Sequence, residues 1–148
     1  MNAKIAEMVF TVPAPRSRVW DLLGPALLNS PLGLEKIEVL DENHVRAEAR
    51  LKCGFLTLPM KLLVIFAELV EPERMGVEMQ ACALGGLVRL DQKIQFVLHA
   101  LNEQETEVRC QSFAKGVNPL LFPVLVWMAR SKSEATLGGI ELTLKRLA

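Results

Sequence analysis

The chain has 148 residues, of which 51% are hydrophobic, and 17 Lys+Arg balance 17 Asp+Glu to a formal net charge of zero. One domain of this length buries about 70% of its unfolded surface, so it needs no metal or disulfide to make a core. The charge balance speaks against the basic footprint of a nucleic-acid binder and the apolar content against disorder; two tryptophans, six phenylalanines and no tyrosine leave little for stacking bases.

Glu7 interrupts the first apolar residues before a signal-peptide core of about 7–15 residues can form. The longest uncharged stretch runs from Gly116 to Ala129. It falls short of the roughly 20 residues that span a bilayer, and it carries Pro119 and Pro123. A soluble, cytoplasmic protein without a membrane span is expected, although this stretch could still touch a membrane surface or a partner. Cys53, Cys82 and Cys110 are odd in number and form no C-x-x-C pair. His44 and His99 lie far apart. Neither a disulfide framework nor a metal site is supported, no cofactor is expected, and the cysteines read as small buried hydrophobes.

Taken in chain order, residues 4–12 alternate as a strand with Met8, Phe10 and Val12 on one face. Pro13-Ala14-Pro15 ends it, and Pro15 suits the first position of a helix, where a missing N–H is harmless. Val19, Trp20, Leu22 and Leu23 give that helix an apolar face, and Gly24-Pro25 is expected to stop it. A second short helix is expected over 26–30. Residues 34–40 form a strand that ends in the turn Asp41-Glu42-Asn43. Over 44–52, Val45, Ala47, Ala49 and Leu51 alternate with His44, Arg46, Glu48, Arg50 and Lys52, so one face of the sheet is wet. Further strands are expected over 56–70, 75–83, 87–100 and 106–114, separated by Gly54, by the turn Glu71-Pro72-Glu73-Arg74, by Gly85-Gly86 and by Asn102-Glu103-Gln104.

From Asn118 the period becomes helical. Phe122, Val126, Ala129, Ser133, Leu137, Ile140, Leu144 and Leu147 recur at three and four. Asn118 can cap this helix, Pro123 predicts a kink or a late start, and Lys145 and Arg146 suit its negative C-terminal end. The whole reads as one α+β domain over 1–148: a curved antiparallel sheet of about seven strands around a long C-terminal helix, with two short helices after the first strand. Such a sheet cannot close fully on one helix, and the space left between them suits an apolar ligand.

Three stretches carry a family resemblance. Phe10-Thr11-Val12-Pro13-Ala14-Pro15 followed by Val19-Trp20-Asp21-Leu22-Leu23 resembles the f-x-V-x-A-P-x-x-x-V-W-x-x-L opening of the START/SRPBCC (helix-grip, birch-pollen-allergen-like) superfamily. Glu68-Leu69-Val70-Glu71-Pro72-Glu73-Arg74 is similar to its P-x-R turn, and Leu137 through Ile140 to Leu144-Lys145-Arg146-Leu147 is similar to the end of its gripping helix. Within the superfamily the chain looks most like two groups, the accessory subunits of carbon monoxide dehydrogenase and the polyketide cyclase-like proteins. It reads Leu32-Gly33-Leu34 where the carbon monoxide dehydrogenase group carries Pro-Gly-Cys. The resemblance implies a helix-grip fold, a hydrophobic pocket for lipid, quinone or polyketide-like ligands, and often no catalysis.

Inward alternation nominates the lining of that pocket. The sheet supplies Met60, Leu62, Val64, Met79, Ala81, Leu90, Gln92, Ile94, Phe96, Cys110 and Ser112. The helix supplies Phe122, Val126, Ala129, Ser133, Leu137 and Ile140. The same pattern also fits a solid core. Gln92 breaks an apolar face and must be hydrogen-bonded, either to a ligand or to a neighbour such as Ser112. Glu68 continues the alternation of Leu62, Val64 and Phe66, which allows either a buried general acid or a solvated carboxylate at the rim. Leu63, Ile65, Ala67 and Leu69 fall on the face that is polar in neighbouring strands. They nominate an interface with a second copy, a partner protein or a membrane surface, or a place covered by a loop of the same chain. The function expected is carriage or sequestration of a small hydrophobic ligand. The alternatives are a cyclase/aromatase-like enzyme and an accessory protein for a redox enzyme such as carbon monoxide dehydrogenase.

Overall fold

The computed structural model describes residues 3–28, 34–53, 56–83, 85, 88–117 and 137–148. The elements are β1 (Ala3–Val12), α1 (Arg16–Leu28), β2 (Glu35–Val39), β3 (His44–Cys53), β4 (Leu56–Val70), β5 (Arg74–Ala83), β6 (Val88–Asn102) and β7 (Glu105–Val117). A C-terminal helix, α2, covers 137–147. The strands form one curved seven-stranded sheet in the order β1-β7-β6-β5-β4-β3-β2, with every pairing antiparallel. β2 to β7 are a meander in which each strand pairs with its predecessor, and β1 closes onto β7.

The alternating residues become rows across the inner face. Val45, Val64, Met79, Gln92 and Ala114 are register partners in one row. Phe66, Val77, Ile94 and Ser112 form the next, and Met75, Phe96, Cys110 and Met8 the one after. Directly opposed side chains on one face touch, which turns a local period of two into a packed layer. Over this layer α1 places Val19, Leu23, Ala26 and Leu27, and α2 places Leu137, Ile140 and Leu144; all seven are sealed from solvent within one apolar cluster. The spacing of three and four in both helices is the apolar stripe that a sheet can cover.

Two hydrogen bonds pin the helices. The buried Thr106 hydroxyl donates to the Ala14 carbonyl at 2.8 Å, fixing the β1–α1 corner against β7. Arg18 donates through Nη2 to the Leu147 carbonyl at 3.1 Å. That bond satisfies a carbonyl at the C-terminal end of α2, where the helix has no donor of its own to offer it.

The helical part differs from expectation in one respect. Gly24-Pro25 does not stop α1, which runs on to Leu28 with Pro25 inside it. The two short helices are therefore one over the described residues. Asp21 and Pro25 both lie on the exposed side, so the ladder bond that Pro25 cannot make falls where water reaches, while Ala26 and Leu27 continue the buried stripe. Residues 29 and 30, the end of the expected second helix, lie outside the described residues, as does the expected helical run from 118 to 136 with the kink near Pro123.

Candidate ligand-binding site

The inner face divides into two halves. Toward α1 and α2 the rows are filled by Val64, Val77, Ile94 and Phe96 and are sealed. Toward the other end the row Ala47, Leu62, Ala81, Leu90 alternates small and large side chains. Here Leu62, Leu90 and the neighbouring Gln92 remain only partly buried, although they face the same way as the sealed residues. Ala49 and Ala83 continue this pattern of short side chains on β3 and β5. Alanine at alternate positions keeps the floor low, so large side chains do not meet across it. This open half is where an apolar ligand could lie.

Gln92 stands at the boundary between the halves. Its amide nitrogen donates to the Ser112 hydroxyl at 2.8 Å, and Ser112 is fully buried. Ser112 is thus the neighbour that answers the polar break in the strand, and the bond fixes the plane of the amide within an apolar face. A Gln92→Leu variant is expected to lose about 1 kcal/mol of stability by taking this donor from Ser112, and adding Ser112→Ala should recover most of it. Chemical denaturation of both singles and the double checks this. A double variant no better than Gln92→Leu would show that the pair acts through something other than its mutual bond.

Cys110 lies under α2 with its thiol pushed up to about 12, first by burial and then by the Glu141 carboxylate. It packs as a hydrophobe. At pH 8 only about one thiol in ten thousand would be ionised, so iodoacetamide should leave Cys110 unlabelled until denaturant is added. Peptide mass mapping of native and denatured samples reads this, and labelling of native Cys110 would contradict it.

The nominated lining separates on the structure. Val64, Met79, Ile94, Phe96, Cys110, Leu137 and Ile140 belong to the sealed apolar cluster, and Met60 and Ser112 are buried as well. Leu62, Leu90 and Gln92 border the open half. Phe122, Val126, Ala129 and Ser133 lie outside the described residues. The small residues Ala47, Ala49 and Ala83 complete the place, and sequence reasoning passed over them as pocket-formers. Their signal was alanine at successive inward positions on two strands, 47 and 49, then 81 and 83.

Glu68 does not keep its place in the alternation. β4 shifts register between Ala67 and Val70, and Glu68 takes φ 51° in that bulge. Its carboxylate turns to the outer face, 58% exposed, and accepts from Lys93 Nζ at 2.5 Å. Gly76, paired with Ala67, leaves the place that Glu68 covers; a Cβ on Gly76 would stand 3.2 Å from Glu68 Oε2. The bulge moves the side chain because one extra residue reverses the face of everything at that point. Leu63, Ile65 and Ala67 on the outer face are half-buried, and Leu69 is exposed.

The outer face also carries a groove of about 700 Å³ across β2–β5. Glu48, Arg50, Lys61 and Cys82 line it from the outward register, together with Glu35 and Lys36 of β2. Ion pairs join Lys36 to Glu48 at 3.3 Å and Arg50 to Glu35 at 3.9 Å. Of the nominated pocket residues, Met60 borders this groove. Among the described residues no cluster of three His, Cys, Asp or Glu could hold a metal ion, and no helix is long and apolar enough to cross a membrane.

Solved structures share this arrangement over the whole chain. A START superfamily protein from Mycobacterium smegmatis superposes with a TM-score of 0.71 at 12% identity, covering 99% of this chain and 100% of that one. The chain has the helix-grip fold of the START/SRPBCC superfamily. Norcoclaurine synthase from Thalictrum flavum matches with a TM-score of 0.66 at 12% identity, over 99% of this chain and 86% of that one. The Zhui aromatase/cyclase from Streptomyces sp. R1128 matches with a TM-score of 0.61 at 14% identity, over 100% and 97%. No family model and no curated protein sequence matches the chain. At these identities the helix-grip likeness concerns the fold, and one fold hosts many functions.

Proposed function

We propose that the protein binds a small hydrophobic ligand of lipid, quinone or polyketide-like character between the concave sheet face and the C-terminal helix, for carriage or sequestration. The observation that carries this reading is the half-open end of the inner face. Leu62, Leu90 and Gln92 stay partly exposed there above a floor of alanines, while the same rows are sealed at the other end. Apolar burial would drive binding at about 25 cal/mol per Å². The Gln92–Ser112 pair would supply orientation, because a polar group already fixed in an apolar wall discriminates ligands that can meet it from those that cannot. The fold neighbours support the ligand class, since helix-grip proteins include an aromatase/cyclase and a START protein.

A cyclase-like reaction is the less supported reading. It needs an acid or base on the inner face, and Glu68, the carboxylate nominated for that role, stands on the outer face against Lys93. Native mass spectrometry of protein purified from its host tests the binding reading. The expected spectrum contains the chain plus a hydrophobic adduct of defined mass. A bare chain that also fails to bind a long-chain fatty acid, a quinone and an aromatic polyketide would overturn it.

A further inference from the structure

We propose that β2 is a homodimerisation edge, at which two copies of the chain pair their β2 strands antiparallel about a two-fold axis through Ile37. β2 ends the sheet, and all five of its residues are exposed. Ile37 is 42% exposed, Val39 68%, and Leu40, just beyond the strand, 42%. An open edge that also shows apolar side chains is what sheet proteins normally avoid, because it accepts another strand.

The backbone shows which groups are offered. The Leu40 N–H donates to the His44 carbonyl at 2.9 Å, and Glu38 pairs with Arg46, so these two residues spend their backbone groups on β3. In an antiparallel ladder alternate residues point opposite ways. Ile37 and Val39 therefore direct their N–H and C=O groups to the open side. A two-fold axis at Ile37 lets the two Ile37 residues exchange both hydrogen bonds.

Charge selects the register and the occupant. The segment reads Leu34-Glu35-Lys36-Ile37-Glu38-Val39-Leu40. Antiparallel pairing about Ile37 sets Lys36 opposite the partner's Glu38, twice by symmetry, and Leu34 opposite the partner's Leu40. Centring on Glu38 would oppose two carboxylates, and centring on Val39 would set Ile37 against the partner's Asp41. The pattern complements itself in one register, which is the signature of a second copy rather than of an unrelated strand. Lys36 sits at a register irregularity with φ 49° and is tied to Glu48 on its own chain. Bulges blunt edges, and a strand of five residues is only about 17 Å long. The dimer is accordingly weak and concentration-dependent.

Sedimentation equilibrium over a wide concentration range tests this. The expected result is a monomer–dimer equilibrium. Glu38→Lys alone, or Lys36→Glu alone, should weaken it by about tenfold or more, since each change acts twice across the axis, and the two together should restore it. In the unaltered chain the Ile37 and Val39 amides should exchange more slowly as concentration rises. A chain that stays monomeric throughout overturns the proposal. So does a dimer that ignores both single reversals, which would place the contact on another face such as the Leu63 and Ile65 stripe.

Discussion

Replacing Ala81 with phenylalanine is expected to reduce binding of a fatty acid or other apolar probe by about tenfold or more, a loss of roughly 1.4 kcal/mol of binding free energy, while the protein remains folded. Ala81 pairs with Leu62 on one side and Leu90 on the other, in the row where the inner face is only partly closed. A phenyl ring there would occupy the space assigned to the ligand. Titration with a fluorescent fatty acid reads the affinity, and thermal unfolding reads the cost. Gln80→Phe is the control, since Gln80 is exposed on the outer face of the same strand and should leave binding unchanged. The opposite result is equally definite. If the variant binds like the parent and loses about 1–3 kcal/mol, the ring is overpacking a filled core, and this end of the sheet holds no ligand space.

Phe96→Ala should be among the most damaging single changes to the fold. Phe96 is 1% exposed and is the largest of the sealed side chains, between Met75 and Cys110 in its row. Truncating a buried phenylalanine to alanine costs about 3–5 kcal/mol, from lost transfer energy and from the cavity left behind. Domains of this size are stable by only about 5–15 kcal/mol, so a third or more of the total is at stake. The melting temperature should fall by about 6–20 °C, at roughly 2–4 °C per kcal/mol. Leu142→Ala, at a helix position 71% exposed, should change stability by no more than about 0.5 kcal/mol. Equal melting temperatures for the two variants would mean that the rows of the inner face are not the core.

The strands were legible because their signal is local. Val45, Ala47 and Ala49 against His44, Arg46 and Glu48 need only the period of the pleat, and β3 follows it from His44 to Cys53. The same holds for β5 and for the inward residues of β6. α1 was half legible. Its apolar spacing from Val19 was clear, but the continuation past Pro25 depended on Ala26 and Leu27 finding the sheet, which no local rule contains. Glu68 was misplaced for a related reason. Alternation assumes an unbroken ladder, and the bulge after Ala67 is set by how β4 turns over Gly76 on the neighbouring strand.

The candidate site shows the same division. Sequence spacing alone put Leu62, Val64, Leu90, Gln92, Ile94 and Phe96 on one face, and the structure keeps them there. It could not rank them by depth. Val64, Ile94 and Phe96 are sealed while Leu62, Leu90 and Gln92 are not, because burial depends on which distant element lies overhead. Period and composition therefore determined the number and order of strands, the wet and dry faces and the polar exception at Gln92. Tertiary packing decided the rest: that Gln92 bonds Ser112, that Glu68 faces outward, that β2 is left as an open edge, and which end of the inner face stays open. Alternation is a property of neighbouring peptides, whereas closure is a property of residues brought together from opposite ends of the chain.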